Sequence, residues 1–174
     1  MTTENTPTIP PRAPEDVTAC TEALAAVHHH DGYPVNWPAH PGTWLTQASG
    51  LGAWVAVLDG RVAGHIALAP AGDGDLAPAH WGDPGGTAVV SRLFVAVHAR
   101  GHGLGALLVH RATEEAHRRN LHPVLDVVAT DTAAAGLYER LGWRRLATEE
   151  QRWGPSQVVT VHSYAGPERL DAVG

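Results

Sequence analysis

Three glycines stand at alternate positions, 101, 103 and 105, in the stretch ARGHGLGALLVHRA, which continues as a helical pattern. Glycine inside a helix costs about 1 kcal/mol relative to alanine, so three of them at a helix start need a reason. At such a start backbone N–H groups converge, the helix dipole adds partial positive charge, and glycine permits close approach of a ligand. The pattern predicts a phosphate or pyrophosphate site, to which Arg100 adds charge-assisted hydrogen bonds.

Two common phosphate-binding motifs fit this stretch poorly. A P-loop ends in Gly-Lys-Ser/Thr, and the chain contains no lysine. A dinucleotide-binding motif needs an acidic residue at the end of the next strand, about 20 residues further on. Asp126 is near that spacing, but it lies in the middle of a predicted strand. A tight turn that binds nothing is the remaining alternative, and the combination of three glycines with Arg100 disfavours it.

The length of 174 residues suits one domain with a sizeable core. We predict that this domain spans residues 9–165, between a disordered N-terminal tail at 1–8 and a C-terminal tail at 166–174. The single cysteine, Cys20, excludes an internal disulfide and is expected to be a buried, unreactive thiol.

Charge and hydropathy narrow the classes of partner. The formal net charge is -6, and all twelve basic residues are arginines. Because a general nucleic-acid-binding protein normally shows a basic patch, we predict no nucleic-acid partner. No apolar run approaches the ~18 residues that span a bilayer, and the N-terminus lacks a basic-then-apolar signal pattern. We therefore predict a cytoplasmic protein with no membrane partner.

Hydrophobic periodicity predicts strands with interleaved helices. Apolar residues at i, i+3, i+7 and i+10 from Val17 fall on one helical face. Asp59-Gly60 between two apolar runs is typical of a tight hairpin, and residues 70–86 look like a long turn-rich connection. This order indicates a mixed α/β sheet. The predicted helices span 14–30, 42–48, 103–120 and 130–142; the predicted strands span 53–58, 61–69, 87–97, 123–129, 143–150 and 156–165.

The stretch LFVAVHARGHGLGALLVHRA resembles the acetyl-CoA-binding motif of the GNAT superfamily of N-acetyltransferases. In that motif a strand with L-x-V precedes R/Q-x-x-G-x-G/A at a helix start, and residues 100–105 match each required position. A second family motif, N-x-x-A-x-x-L-Y-x-x-x-G-F/W, matches from Asp131 through Leu137-Tyr138 to Gly142-Trp143. The resemblance covers residues 87–143, and the order of elements extends it more weakly to about 8–165.

The resemblance implies a mixed, mostly antiparallel central sheet with helices on both faces. The sheet is expected to be splayed open between the strand ending near Val97 and the strand near Leu125, where acetyl-CoA lies. The implied cofactor-binding residues pair with the pantetheine or hold the pyrophosphate. They are Leu93, Phe94 and Val95 for the pantetheine, Arg100, Gly101, His102, Gly103, Leu104 and Gly105 for the pyrophosphate, with Asp131 and Tyr138 from the second motif.

The implied reaction is acetyl transfer from acetyl-CoA to a primary amine by direct attack in a ternary complex, with coenzyme A as the product. The acceptor is a small-molecule amine or a peptide N-terminus. Tyr138 is the candidate acid, since a phenol of pKa near 10 can share a proton with a thiolate of pKa near 8.5. The alternative interpretation of Tyr138 is a packing residue on an amphipathic helix.

Two positions depart from the family pattern. Asp131 replaces the usual asparagine; an aspartate still caps a helix, but an ionised one cannot donate a hydrogen bond to the pantetheine. Val89 stands where many relatives carry a glutamate that acts as a base through water. His65 has a suitable ordinary pKa to replace that base. Its alternative interpretation is a half-buried strand histidine with a satisfied hydrogen bond.

The acceptor site is expected in the loops at 28–50 and 70–86, with Asp31, Tyr33 and Trp37 as candidate substrate-binding residues. A carboxylate and aromatic faces in this region can bind a cation. Acceptor identity, acyl chain length and homodimer formation stay open.

Two other functions compete with the enzyme. The missing glutamate keeps open a non-catalytic acyl-CoA-binding module. The run from His28 to Asp31 suggests a histidine-based metal-binding protein. However, consecutive helical residues point about 100° apart, so three in a row cannot reach one ion, and we predict no metal site.

Overall fold

The computed structural model describes residues 6–169, which fall into two compact units. The first unit comprises residues 6–69 and 91–112, and the second comprises 70–90 and 113–169. The helices are α1 (Val17–Asp31), α2 (Pro41–Gln47), α3 (Ala77–Trp81), α4 (Leu104–Arg118) and α5 (Thr132–Arg140). The strands are β1 (Gly52–Leu58), β2 (Arg61–Pro70), β3 (Thr87–Val95), β4 (His122–Val128), β5 (Arg144–Gly154) and β6 (Gln157–Ala165).

The strands form one six-stranded sheet in the order β1-β2-β3-β4-β6-β5. The β1–β2, β4–β6 and β5–β6 pairs are antiparallel, whereas β3 and β4 are parallel. The parallel register joins Thr87–Val89 to His122–Val124. The predicted fold class, a mixed α/β fold with an open and mostly antiparallel sheet, is confirmed.

The first unit is built around the apolar face that the sequence predicts for α1. Cys20, Leu24 and Val27 are buried there and pack with apolar residues of α2, β1 and β3. Gly32 ends α1 with a left-handed φ of 77°, and its N–H bonds to the carbonyl of His28. Within residues 6–169 no helix has the length and apolar character that crossing a membrane requires.

The β1–β2 hairpin turns at Asp59-Gly60, as predicted. Both residues have positive φ, 55° and 75°, which is the requirement of the two-residue turn that matches strand twist. On the other edge of β1, Thr8 exchanges backbone hydrogen bonds of 3.1 and 2.8 Å with Val57. The sequence analysis placed residue 8 in a disordered tail, but in the structure this residue pairs with β1. Residues 1–5 of the predicted tail lie outside the described part of the chain.

The second unit contains the long β5–β6 hairpin, α3 and α5. Its buried cluster consists of Ala77, Val89, Val124 and Ala165. At the C-terminal end, Gly166 N–H donates to the carbonyl of Pro123 at 2.9 Å. Of the predicted C-terminal tail, residues 170–174 lie outside the described part of the chain. That residues 9–165 form a single domain stays a prediction.

Helix α3 was missed by the sequence analysis, which assigned residues 70–86 to a turn-rich connection. Its first N–H groups are bound by a side chain from β4. Asp126 accepts hydrogen bonds from Leu76 N at 2.7 Å and Ala77 N at 3.0 Å, and its Oδ1 also accepts from the Ser163 hydroxyl at 2.7 Å. Because the capping carboxylate of Asp126 lies 50 residues after Leu76, no local sequence pattern predicts this helix.

Candidate functional site

The glycine-rich loop before α4 has a backbone that glycine adopts more readily than other residues. Gly101 and Gly103 have left-handed φ values of 83° and 71°, which side chains with a Cβ rarely adopt. A Cβ built on either glycine would meet no other atom within 4 Å. The glycines therefore serve the backbone path and leave the space above it open, rather than relieving crowding within the protein.

The backbone N–H groups of this loop have no acceptor among residues 6–169. The first loop-to-helix bond runs from Leu107 N to the carbonyl of Gly103 at 3.2 Å. The preceding N–H groups, from Arg100 to Ala106, remain available at the start of a fifteen-residue helix. Converging N–H donors at a helix N-terminus form a binding site for an anion.

The side chain of Arg100 is engaged by the protein. Its Nη2 lies 2.5 Å from Oδ2 of Asp31, and the guanidinium also donates to the carbonyl of Val95 at 3.2 Å from Nη2 and 3.4 Å from Nε. The hydrogen bond from Arg100, ahead of the smaller contribution of His30, lowers the pKa of the Asp31 carboxyl. The structure thus pairs a predicted cofactor-binding residue with a predicted substrate-binding residue.

His102 braces the loop from within. Its Nδ1 lies 3.0 Å from the carbonyl of Ala99 and 3.1 Å from that of Arg100, so this nitrogen is the donor. The ring is fixed to the loop backbone and the side chain is exposed. Leu104 and Gly105 form the first turn of α4.

The end of β3 leads into the loop through Leu93, Phe94 and Val95. Phe94 is buried in the core of the first unit and stacks on the ring of His65 with centroids 5.4 Å apart, whereas Leu93 and Val95 are half-buried. Just before them, Arg92 has a left-handed φ of 55°, a conformation that is rare for a residue other than glycine. Such strain within a strand marks a position held by its surroundings.

His65 is fully buried, and both ring nitrogens are bonded. Arg12 Nη1 lies 2.9 Å from Nε2, and Nδ1 lies 2.9 Å from the carbonyl of Arg92. Since an arginine cannot accept a hydrogen bond, Nε2 is the acceptor and Nδ1 the donor. Burial lowers the pKa of His65 to about 4. This geometry favours the structural interpretation of His65, since its lone pair already binds Arg12.

Val89, which replaces the family's glutamate, is buried in the core of the second unit. Its neighbours in that core are apolar, and valine itself supplies no carboxylate. Together, Val89 and His65 leave the described chain without an accessible base at either of the two positions that the sequence analysis considered.

Helix α5 of the second unit carries the residues of the second motif. Asp131 is its N-cap, and Oδ1 accepts from Ala134 N at 3.1 Å, which confirms the predicted capping role. Tyr138 is buried, with its ring 5.5 Å from that of Trp143 and 6.2 Å from that of Tyr164. The function of Tyr138 as an acid stays a prediction.

The other predicted acceptor residues follow the end of α1. Tyr33 packs edge-on against Trp44 with centroids 6.3 Å apart. The side chain of Trp37 is 41% exposed and its ring lies 5.2 Å from that of His28. Among residues 6–169 no three histidine, cysteine or acidic side chains are grouped so as to hold a metal ion.

The sequence matches the model of the Acetyltransferase (GNAT) family over residues 20–143, which contain the glycine loop and the helix carrying Tyr138. The chain belongs to the GNAT family of acetyltransferases. The family assignment made from the two motifs is therefore confirmed.

Two curated relatives are N-acetylaspartate synthetases. The protein from Danio rerio is 36% identical over 98 residues, and that from Rattus norvegicus is 34% identical over 109 residues. The matched regions make up 56% and 62% of this chain, but 31% and 33% of those proteins. The chain thus spans about a third of the length of the curated relatives it matches.

A solved structure described as that of an acetyltransferase shows the same fold. The protein yncA from Salmonella typhimurium, solved with its cofactor acetyl-CoA, aligns with a TM-score of 0.69 at 22% identity. The alignment covers 96% of this chain and 98% of that chain.

Sequence reasoning missed the arginines that surround His65. Arg12 lies in a proline-containing segment outside both motifs, and nothing in its local pattern predicts a contact 53 residues away. Arg92 gave a weak signal, because it is a charged residue inside the most apolar run of the chain.

Proposed function

We propose that this chain is an N-acetyltransferase that moves the acetyl group of acetyl-CoA to a primary amine by direct attack in a ternary complex. The observation that carries the proposal is the loop at 101–105, whose left-handed glycines leave backbone N–H groups open at the start of α4. The loop fits a pyrophosphate because its N–H donors lie at a helix start and the space beside Gly101 and Gly103 is open. The relatives' names make aspartate the first amine to test.

The proposed cofactor contacts divide between backbone and side chains. N–H groups of residues 100–105 hold the pyrophosphate, and backbone groups of Leu93–Val95 pair with the pantetheine as an added strand would. His102 keeps the loop in shape through its bonds to two loop carbonyls. When bound, acetyl-CoA supplies the activated thioester.

Proton transfer is assigned to few groups. We assign to Tyr138 the proton that the leaving sulfur takes up, on the strength of its place in the second motif. Asp131 caps α5 and so fixes the start of the helix that carries Tyr138. Because Val89 is apolar and the lone pair of His65 is occupied, the amine enters the reaction already deprotonated, as its free base. The proton that its nitrogen loses when the amide forms replaces the proton that Tyr138 gives to the sulfur.

Acetyl-CoA binding is tested by calorimetric titration of the untagged chain, with NAD and ATP as control ligands. A Gly103→Ala variant is expected to bind at least roughly tenfold more weakly, because alanine disfavours the left-handed backbone that aims the donors. Gly60→Ala is the matched control, since Gly60 has a similar φ of 75° and equally open surroundings in the β1–β2 turn. Equal binding by both variants, or preference for NAD, would contradict the proposal.

Turnover is tested by release of the coenzyme A thiol with a panel of amines and peptide N-termini. A non-catalytic acyl-CoA-binding module remains the second candidate, favoured by the absence of a base at Val89 and His65. That candidate is supported if acetyl-CoA binds selectively and no acceptor releases thiol above the rate of hydrolysis.

A further inference from the structure

Two arginines are joined through the buried His65 in the first unit. Arg12 donates to Nε2 of His65, and Nδ1 of His65 donates to the carbonyl of Arg92, each at 2.9 Å. Arg12 also donates to the Ser49 hydroxyl at 3.1 Å. The guanidinium of Arg92 lies 4.0 Å over the ring of Trp44, and its Nε donates to the carbonyl of the same residue at 3.2 Å.

This cluster carries positive charge in a partly buried place. His65 is neutral at pH 7, because burial lowers its pKa to about 4, so both unit charges come from the arginines. The ion pairs within residues 6–169 do not include Arg12. Asp16 acts on Arg12 only through longer-range attraction. A guanidinium group that the protein holds in place is well suited to bind an anionic group such as a carboxylate.

The position of Arg92 connects the cluster to the proposed reaction. It directly precedes Leu93–Val95, the backbone proposed to hold the pantetheine. Its left-handed φ of 55° is strained, and the structure holds it at both ends, through His65 on the carbonyl and Trp44 on the side chain. Strain maintained by such bonds is typical of functional positions. A guanidinium stacked on an indole is also oriented before a ligand arrives.

We propose that Arg92 binds a carboxylate of the acceptor, so that the acceptor class is amines bearing a carboxylate, such as amino acids. The inference rests on the proposed acetyltransferase function and names its substrate class. Arg12 and His65 act as positioning residues, since they hold the Arg92 carbonyl and add charge without contacting the acceptor. The planar fork of arginine matches a carboxylate with two parallel hydrogen bonds.

The test compares acceptors that differ in one carboxylate: aspartate with asparagine, glutamate with glutamine, and alanine with alaninamide. The carboxylate member of at least one pair is expected to have the higher kcat/KM by roughly 10- to 100-fold, mostly through a lower KM. In Arg92→Asn this preference is expected to fall to near one, and the KM for acetyl-CoA is expected to change far less than the KM for the acceptor. Asparagine is chosen because it tolerates the left-handed backbone.

Two further variants keep the test decisive. Arg111→Asn removes another arginine that stacks on a tryptophan, with its guanidinium 5.0 Å from the ring of Trp54, and it should keep the preference. Arg92→Lys keeps the positive charge but not the planar fork, and it should show an intermediate preference for the acid. This variant carries the test if Arg92→Asn does not fold. The inference would be overturned if acids and amides reacted at equal rates, or if the preference for the acid stayed the same in both Arg92 variants. Neither result would contradict the proposed acetyltransferase function. Failure of the wild type to bind acetyl-CoA would overturn the proposed function, and the inference with it.

Discussion

Asp31 and Arg100 form the ion pair that joins the end of α1 to the glycine loop. The pair is partly exposed, with 33% of the Asp31 side chain and 40% of the Arg100 side chain accessible. A pyrophosphate on the loop would compete with the Asp31 carboxylate for the same guanidinium. Arg100, which the sequence analysis assigned to the cofactor, is therefore already paired with Asp31 in the absence of a bound anion.

Replacing Asp31 tests this competition. Asp31→Asn is expected to tighten acetyl-CoA binding by about two- to fivefold, because it removes an exposed ion pair of modest strength that competes for Arg100. Asp59→Asn is the matched control, since it removes the same charge at an exposed turn residue that tolerates asparagine. Titration calorimetry measures both, and weaker or unchanged binding by Asp31→Asn relative to the control would refute the competition.

Individual residues were predictable to different degrees. The glycine spacing predicted a special turn at the start of a helix because that signal is local, whereas the positive φ values of Gly101 and Gly103 came from the structure. The partners of Arg100 and His65 were not predictable, because Asp31 and Arg12 lie far from them in the sequence. His65 illustrates the consequence: its residue type suits a base, and only its burial and its bond to Arg12 argue against that function.

At the scale of elements, α5 and α3 differ in where the side chain that binds their first N–H groups lies in the sequence. Helix α5 was predicted because two candidate caps, Thr130 and Asp131, lie beside it in the sequence, and the structure shows Asp131 as the cap. Helix α3 was not, because its capping carboxylate belongs to β4. The five-residue length of α3 gives no periodicity to detect, so only the folded chain identifies it.

Asp126 should therefore contribute more to stability than Asp131. Asp126→Ala removes the acceptor of three hydrogen bonds and is expected to lower the free energy of unfolding by about 2–3 kcal/mol. Asp131→Ala removes one capping bond and is expected to lower it by about 1 kcal/mol. Urea unfolding at pH 7 measures the difference, and equal losses would show that Asp126 does not hold α3 as described.

At the scale of the whole molecule, the fold class followed from the sequence through the family motifs, whereas the order of the strands in the sheet came only from the structure. Periodicity alone predicted strands and helices in sequence order, but not that β4 lies between β3 and β6. The division of the described chain into two units had no sequence signal, because neither unit is continuous in sequence.

Cys20 belongs to the core of the first unit and is fully buried, and burial raises its pKa to about 11. We expect a thiol reagent to leave the native protein unlabelled at pH 7 and to label one site per chain in urea. Labelling followed by mass spectrometry measures both states. Rapid modification of the native protein would contradict the burial of Cys20.

The same thiol provides a probe of cooperativity that the tryptophans do not. Three tryptophans lie in each unit, so fluorescence averages over both: Trp37, Trp44 and Trp54 in the first, Trp81, Trp143 and Trp153 in the second. Cys20 reports on the first unit alone. If its labelling in urea follows the fluorescence transition, the chain unfolds as one cooperative body; labelling at lower urea would define the first unit as a separate foldon.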